Sequence, residues 1–217
     1  MRKRDIQVLR VEDAASRNDA LVVLGTTYLE EKRWVDTAES QLPESDLQSP
    51  TTSWFIAYVN DRPGGVLRVC YDPPVEQYHD YQVQLLDNSL DVDAFLRQNR
   101  IAEIGRFAVI PELRNQIMVA AELMRASTRE TLDRAFTHYI TDVFEDDPNS
   151  PYGFHTRVMG FLPVATHDVG ELHCNSRRIT MILDLKAAYQ RLKARKNWIF
   201  RVITNGWDEG LHRRLAV

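Results

Sequence analysis

A single domain built on a mixed β-sheet, in an α/β or α+β arrangement, is the fold class this sequence predicts. Three observations predict it. Apolar segments of strand length come in runs and also alternate with helical patterns, as expected when helices cover a sheet. The longest helical pattern, Leu113 to about Arg134, follows directly on the apolar segment "RIAEIGRFAVI". Across 217 residues, 44% are hydrophobic and 27% charged, an ordinary globular balance that supports a sizeable core and argues against disorder.

The elements follow in order. "IQVLRV" (Ile6 to Val11) alternates like a short strand, and "DAASRNDALVVLGTTYLEEKRW" has mixed helical spacing fitting one or two helices. "AESQLPESDLQSPTTS" is polar with two prolines and reads as a loop. "WFIAYV" and "GGVLRVCY" flank "NDRP" and predict a hairpin. From Asp72 to Asn99 the expectation is loop with one helix, "VDAFLRQ". After the "EIGRFAV" strand and the long helix come a strand at "HYITDVFE" and a break at "DDPNSP". "YGFHTRVMG" predicts a short helix ending near Gly160, followed by strands "FLPVATHDV" and "RRITMILDL" and one basic amphipathic helix, "LKAAYQRLKARKNWIF". The expected organisation is a domain over 1–185, with a basic C-terminal helix and tail over 186–217 packed on it.

The "EIGRFAV" strand holds two charges in an apolar run. Glu103 falls on one face and Arg106 on the other. Each must be paired or face a wet cavity, because leaving a buried charge alone costs several kcal/mol. An internal ion-pair network and a functional site are both compatible with that. Gly105 between them predicts a bulge or a close backbone approach.

Net charge is −4, which weighs against general nucleic-acid binding. The charge is uneven: from Arg177 onward ten Lys/Arg face three acidic residues, a net of +7, so the rest carries −11. A basic end of this kind (Lys186, Arg191, Lys193, Arg195, Lys196) suits an acidic partner or a solvated helix face. Cys70 and Cys174 make no disulfide framework and read as free thiols. The N-terminus has no apolar signal region and no run is long enough to span a membrane, so a cytoplasmic protein is expected. His167, His173 and Cys174 match no zinc spacing, and no metal site is predicted.

Strand, proline turn, "ELR" and helix, with a later "GF" at Gly160-Phe161, resemble the GNAT superfamily of acyltransferases. More narrowly, "EIGRFAV" resembles the Glu-x-x-Arg-Phe strand of the acyl-homoserine-lactone synthases and N-acyl amino acid synthases. The ordered set Trp34, Glu44-Ser45-Asp46, Arg68, Glu103, Arg106 is similar to that branch, and the resemblance covers about residues 25 to 185.

That resemblance implies a GNAT-like, mostly antiparallel sheet flanked by helices and splayed between the "EIGRFAV" and "HYITDVFE" strands. It implies an N-acyltransferase moving an acyl group from an acyl-carrier-protein or acyl-CoA thioester to the amine of a small molecule such as an amino acid. No cofactor is held; the acyl-phosphopantetheine thioester is a co-substrate. Phe107, Ala108 and Val109 would bond the pantetheine arm through their backbone. Arg114, Asn115 and Gln116 would meet its phosphate at the start of the helix near Leu113. Glu103 would be the base, with Arg106 and Arg68 in the catalytic set, and Trp34, Glu44 and Asp46 would hold the acceptor. Candidates for a leaving-group acid are His155 and Thr156, the latter standing where many members carry Tyr.

Aligned on Arg114, the chain has Ile117 and Val119 where the superfamily loop has glycines. Two explanations stand: a carrier-protein donor bringing one phosphate and no nucleotide, or a site that no longer binds a donor. The rival readings are therefore an acetyl-CoA-dependent small-molecule N-acetyltransferase and a catalytically silent acyl or carrier-protein binding module.

Overall fold

The computed structural model describes residues 5–73 and 80–216. Two compact units divide the chain: Met1–Cys70 with Gly105–Glu130, and Tyr71–Ile104 with Thr131–Val217. The described strands number eight, and all but one of the ladders with a resolved register are antiparallel.

In the first unit β1 (Ile6–Arg10), β2 (Thr52–Val59), β3 (Arg62–Tyr71) and β5 (Ile101–Val109) are neighbours in that order. β2 and β3 form the expected hairpin, longer than predicted. Asn60 and Asp61 both take left-handed φ values, 50° and 63°, so the turn is of the primed kind whose twist matches its strands. Helix α1 (Ala14–Leu24) starts on a capping box in which the Ser16 N–H donates to Asp13 Oδ1 at 2.8 Å. It runs on into a wider π-helical turn, Gly25–Glu31. The "PESDLQ" loop contains one 3₁₀ turn, Glu44–Gln48.

Gly65 on β3 is small for a reason. A Cβ there would lie 3.1 Å from the Ala108 carbonyl of β5 and within 3.2 Å of Leu123 and Val119 of α3 (Ile117–Asp133). The helix expected from Leu113 begins four residues later: Pro111–Leu113 is a separate 3₁₀ turn, and the Gln116 N–H donates to the Leu113 carbonyl at 2.8 Å. The turn is held by i→i+3 bonds, the Leu113 N–H to the Ile110 carbonyl and the Arg114 N–H to the Pro111 carbonyl, in place of the α-helical pattern.

In the second unit the order is β5-β6-β8-β7-β4, with β6 at His138–Phe144, β8 at Arg178–Asp184, β7 at Leu162–His167 and a two-residue β4 at Gln84–Leu85. β4, which the sequence did not announce, pairs with β7; α2 (Val92–Gln98) lies where a helix was expected. β5 pairs with β6 in parallel for three residues only, Ile101 to Glu103 against His138 to Ile140. β6 itself continues against β8 over its whole length.

The basic C-terminal pattern is two helices rather than one. α4 (Leu185–Ala194) stops before Lys196, whose φ of 49° leaves the helical region, and Asn197 caps α5 (Trp198–Ile203) by accepting from the Ile199 N–H. α6 (Glu209–Ala216) completes the chain's described part. All three belong to the second unit.

Gly160 closes the π-helical turn Phe154–Met159 with a φ of 87°. A Cβ there would sit 1.8 Å from a guanidinium nitrogen of Arg191, which donates to the Met159 carbonyl at 2.5 Å. Gly160→Ala is therefore expected to cost about 2–3 kcal/mol, from left-handed strain plus a displaced charged hydrogen bond. Urea unfolding of Gly160→Ala, Arg191→Ala and the double variant checks this, with the two costs expected to be less than additive.

Candidate functional site

In the first unit the candidate residues gather around the loop 35–50 and the second half of β5. Arg106 takes a φ of 50°, which breaks the extended strand just after Gly105. The irregularity expected from Gly105 thus falls one residue later, on a side chain that pays for the conformation. The Arg106 Nε–H donates to Gln41 Oε1 at 2.7 Å, so the arginine is tied to the loop. Arg17 holds the same loop by donating to the Leu42 carbonyl at 2.8 and 3.1 Å. Asp46 accepts from the Trp54 indole at 2.8 Å, a bond that fixes the loop to β2. Glu44 is exposed at the start of the 3₁₀ turn. Trp34 meets Tyr28 edge-on at 5.4 Å and lies under the Lys32 ammonium at 5.5 Å. Arg68 is half-buried on β3, opposite Trp54.

The proline turn brings a result that the sequence did not signal. Arg114 donates from Nη1 to Glu31 Oε1 at 2.7 Å and from Nη2 to Glu31 Oε2, while its Nε–H donates to the Val109 carbonyl at 3.1 Å. The guanidinium fork is turned to a carboxylate of its own chain. Hydrogen bonding to Arg114 holds the Glu31 carboxyl below its usual range. Asn115 is exposed, Gln116 half-buried and Ala108 buried, with Phe107 and Val109 half-buried beside it.

In the second unit the ladder registers place Glu103 of β5, Ile140 and Asp142 of β6, Thr180 of β8 and His167 of β7 on one face of the sheet. Glu103 is half-buried there, on the last rung of the β5–β6 ladder. Asp142 accepts from the Thr180 hydroxyl at 2.7 Å and pairs with His167 Nε2 at 3.2 Å. His167 Nδ1 faces the Val169 carbonyl at 2.7 Å, so both ring nitrogens meet acceptors. Burial opposes charge on this ring, but the Asp142 bond and charge outweigh it and its pKa is raised. Tyr81 stacks on the ring, centroids 5.4 Å apart and planes 4° from parallel. None of Gln41, Glu31, Asp142 or Tyr81 carries a spacing signal; only contact between distant segments reveals them.

His167 is therefore committed to Asp142 and Val169 and not to a metal. Among the described residues no group of three or more His, Cys, Asp and Glu is placed to hold one. The basic tail is also partly spent: Arg191 serves the Met159 carbonyl and Arg214 the Leu132 carbonyl, while Lys186, Arg195 and Lys196 remain exposed. No described helix is long and apolar enough to cross a membrane.

Residues 20–174 match the family model of FeeM, N-acyl amino acid synthase, which is well over half of the chain. The chain belongs to the FeeM family of N-acyl amino acid synthases. The structure of FeeM, an N-acyl amino acid synthase from uncultured soil microbes, is similar over 88% of this chain and 97% of that one, with 16% identity and a TM-score of 0.66. A protein from Desulfovibrio desulfuricans assigned to the GNAT acetyltransferases shares the fold at TM-score 0.58 and 11% identity, over 83% and 99% of the two chains. Drosophila melanogaster polyamine N-acetyltransferase does so at TM-score 0.59 and 15% identity, over 83% and 100%. No curated protein matches the chain.

As a member of the FeeM family the protein is a GNAT-type N-acyltransferase acting on a small-molecule amine. Its candidate leaving-group acids fare poorly. His155 is fully buried between Phe154 and Phe161, and burial pushes its pKa down to about 3, so near neutral pH it is a neutral imidazole without the acidic proton of an imidazolium. The Thr156 hydroxyl donates back to the Tyr152 carbonyl at 2.8 Å. A core histidine held neutral has a consequence for stability. Between pH 6.5 and about 3 the unfolded chain binds a proton that the folded chain does not. Stability is then lost as pH falls, with a slope of up to about 1.4 kcal/mol per pH unit from this group. Replacement His155→Leu is expected to flatten the fall in urea midpoint between pH 6.5 and 4. His167 does not mask this, because its raised pKa leaves its contribution fully present below 6.5 and lost only at higher pH.

Proposed function

We propose that the protein transfers an acyl group from the phosphopantetheine thioester of an acyl-carrier protein to the amine of an amino acid or a close derivative. The observation that carries the reading is the break in β5. Pairing of β5 on β6 ends at Glu103, and three residues later Arg106 is left-handed and fastened to the acidic loop through Gln41. A carboxylate and a guanidinium are thereby presented by a strand that has stopped pairing on β6, and backbone from Phe107 to Val109 is the segment proposed to bond the pantetheine arm.

In this reading Glu103 takes the proton from the attacking nitrogen, directly or through a water, and the transfer proceeds in a ternary complex without an acyl-enzyme. Arg106 and Arg68 carry the positive charge suited to an acceptor carboxylate or a developing oxyanion. Trp34 and Glu44 contribute to the acceptor side, with Asp46 acting through the loop it anchors. Asn115, Gln116 and the first turn of α3, now starting at Ile117, face the phosphate.

The state of Arg114 supports a carrier-protein donor over CoA. Its fork is already turned to Glu31, so one of the two positive charges that Arg114 and Lys32 bring to this carboxylate is offset before a diphosphate arrives. A single phosphodiester asks for less. The exposed Lys186, Arg195 and Lys196 suit the acidic surface such a carrier would bring.

Two measurements follow. Glu103→Gln is expected to lower kcat by on the order of 100-fold while leaving the melting temperature within a few degrees; unchanged turnover would remove the base assignment. Glu31→Gln is expected to raise kcat/KM for acyl-CoA at least about tenfold and change that for acyl-carrier protein much less, since it returns a net positive charge to the turn. Equal effects on both donors would show that Glu31 does not discriminate between them.

A further inference from the structure

The proposed reaction needs a place for the acceptor's amino group, and neither acidic residue of the loop supplies it simply: Asp46 is bound to an indole and Glu44 lies in solvent. The polar row on the second unit offers a better-built alternative. Thr180 and His167 hold both oxygens of Asp142, and His167, whose side chain is fully buried, is itself held by the Val169 carbonyl. A rigid base of this kind orients whatever lies on it. Tyr81 lies on it, parallel to the imidazole. Its ring is thus fixed on the sheet face that also carries Glu103.

We propose that Tyr81, with Glu103 and the outer side of Asp142, forms the subsite for the acceptor's ammonium group, and that the His167–Asp142 pair positions Tyr81 for this task. The claim rests on the acyl-transfer reading above. Charge fits a cation: burial raises the phenol's pKa, and Glu171, Glu103 and Asp142 raise it further against Arg178, so the hydroxyl stays neutral in an acidic setting. Asp142 keeps a quarter of its side-chain surface, 26%, exposed. An ammonium brings three N–H donors and finds carboxylate, phenol and carboxylate oxygens as acceptors. It gives one proton to Glu103, the nitrogen lone pair then forms the C–N bond, and as the C–S bond breaks the nitrogen's second proton passes to the departing thiolate, leaving a neutral amide and a thiol. An alcohol or thiol brings one donor and no charge, so the subsite selects amines over both.

The test uses the full chain and a variant that keeps the ring. With acyl-carrier-protein thioester and whichever of the twenty standard amino acids turns over best, Tyr81→Phe is expected to raise the acceptor KM about tenfold, the worth of a hydrogen bond to a charged group. Expected kcat stays within threefold and the donor KM within twofold. His167→Gln is expected to raise the same KM, and to add nothing in the Tyr81→Phe background, which a merely structural histidine would not do. An unchanged acceptor KM in Tyr81→Phe overturns the proposal. So does a fall in kcat at constant KM, which would make Tyr81 a proton donor instead. Saturation-transfer NMR with the twenty amino acids and no donor gives a readout independent of turnover. If no amine is acylated, the transfer reading fails, and the NMR decides the subsite: binding lost in Tyr81→Phe supports it, while binding retained or absent in the wild type overturns it.

Discussion

Strand β5 must keep a carboxylate and a guanidinium half-buried within three residues of each other, and much of the surrounding structure answers that constraint. Desolvating either ion costs several kcal/mol unless polar partners replace water. Extended pairing with β6 stops at Glu103, and the chain accepts a left-handed arginine at 106, a conformation costing on the order of 1–3 kcal/mol. The compensation at Arg106 includes a neutral acceptor, Gln41, which fixes the guanidinium's direction.

A second device recurs through both units. Arginines bind the carbonyls of irregular segments: Arg17 that of Leu42, Arg191 that of Met159, Arg214 that of Leu132, and the buried Arg178 those of Asp168 and Leu172. Each such bond satisfies a carbonyl that helix or sheet would otherwise pair, and charged hydrogen bonds are worth about 1.5–3 kcal/mol. Loops near the candidate residues are thereby fixed without secondary structure. This also explains why the basic C-terminal composition overstates the free positive surface. Arg191 and Arg214 are spent inward, and burial lowers the Arg191 pKa.

Legibility followed the range of the forces involved. Strands and helices set by local periodicity were readable: β1 to β3, β5 to β8, α1 and α2 stand where the pattern put them. Boundaries set by a single residue's backbone were not. Lys196 breaks the basic pattern into α4 and α5, and the 3₁₀ turn at Pro111 delays α3. Glu103 and Arg106 were visible because charges in an apolar run are conspicuous. Glu31, Gln41, Asp142 and Tyr81 were invisible for the opposite reason. Each is an ordinary residue in an ordinary place, given meaning by a partner at least 25 residues away in the sequence.

The two side chains standing where the superfamily has glycines prove to be different cases. Val119 is fully buried, and its methyl lies 3.2 Å from where a Cβ on Gly65 would be, so it fills the contact of α3 with β3. A glycine at 119 would leave a hole there and weaken the helix by about 1 kcal/mol relative to alanine. The glycine has in effect moved to the strand, and this substitution says little about the donor. Ile117 is another matter. It is 42% exposed at the first position of α3, where backbone N–H groups lack partners within the helix and a phosphate would approach. Arg114, turned to Glu31, lies three residues before it in the sequence. Of the two positions, then, only Ile117 bears on the proposed preference for a donor with one phosphate, because it alone stands at the helix start beside the Arg114–Glu31 pair.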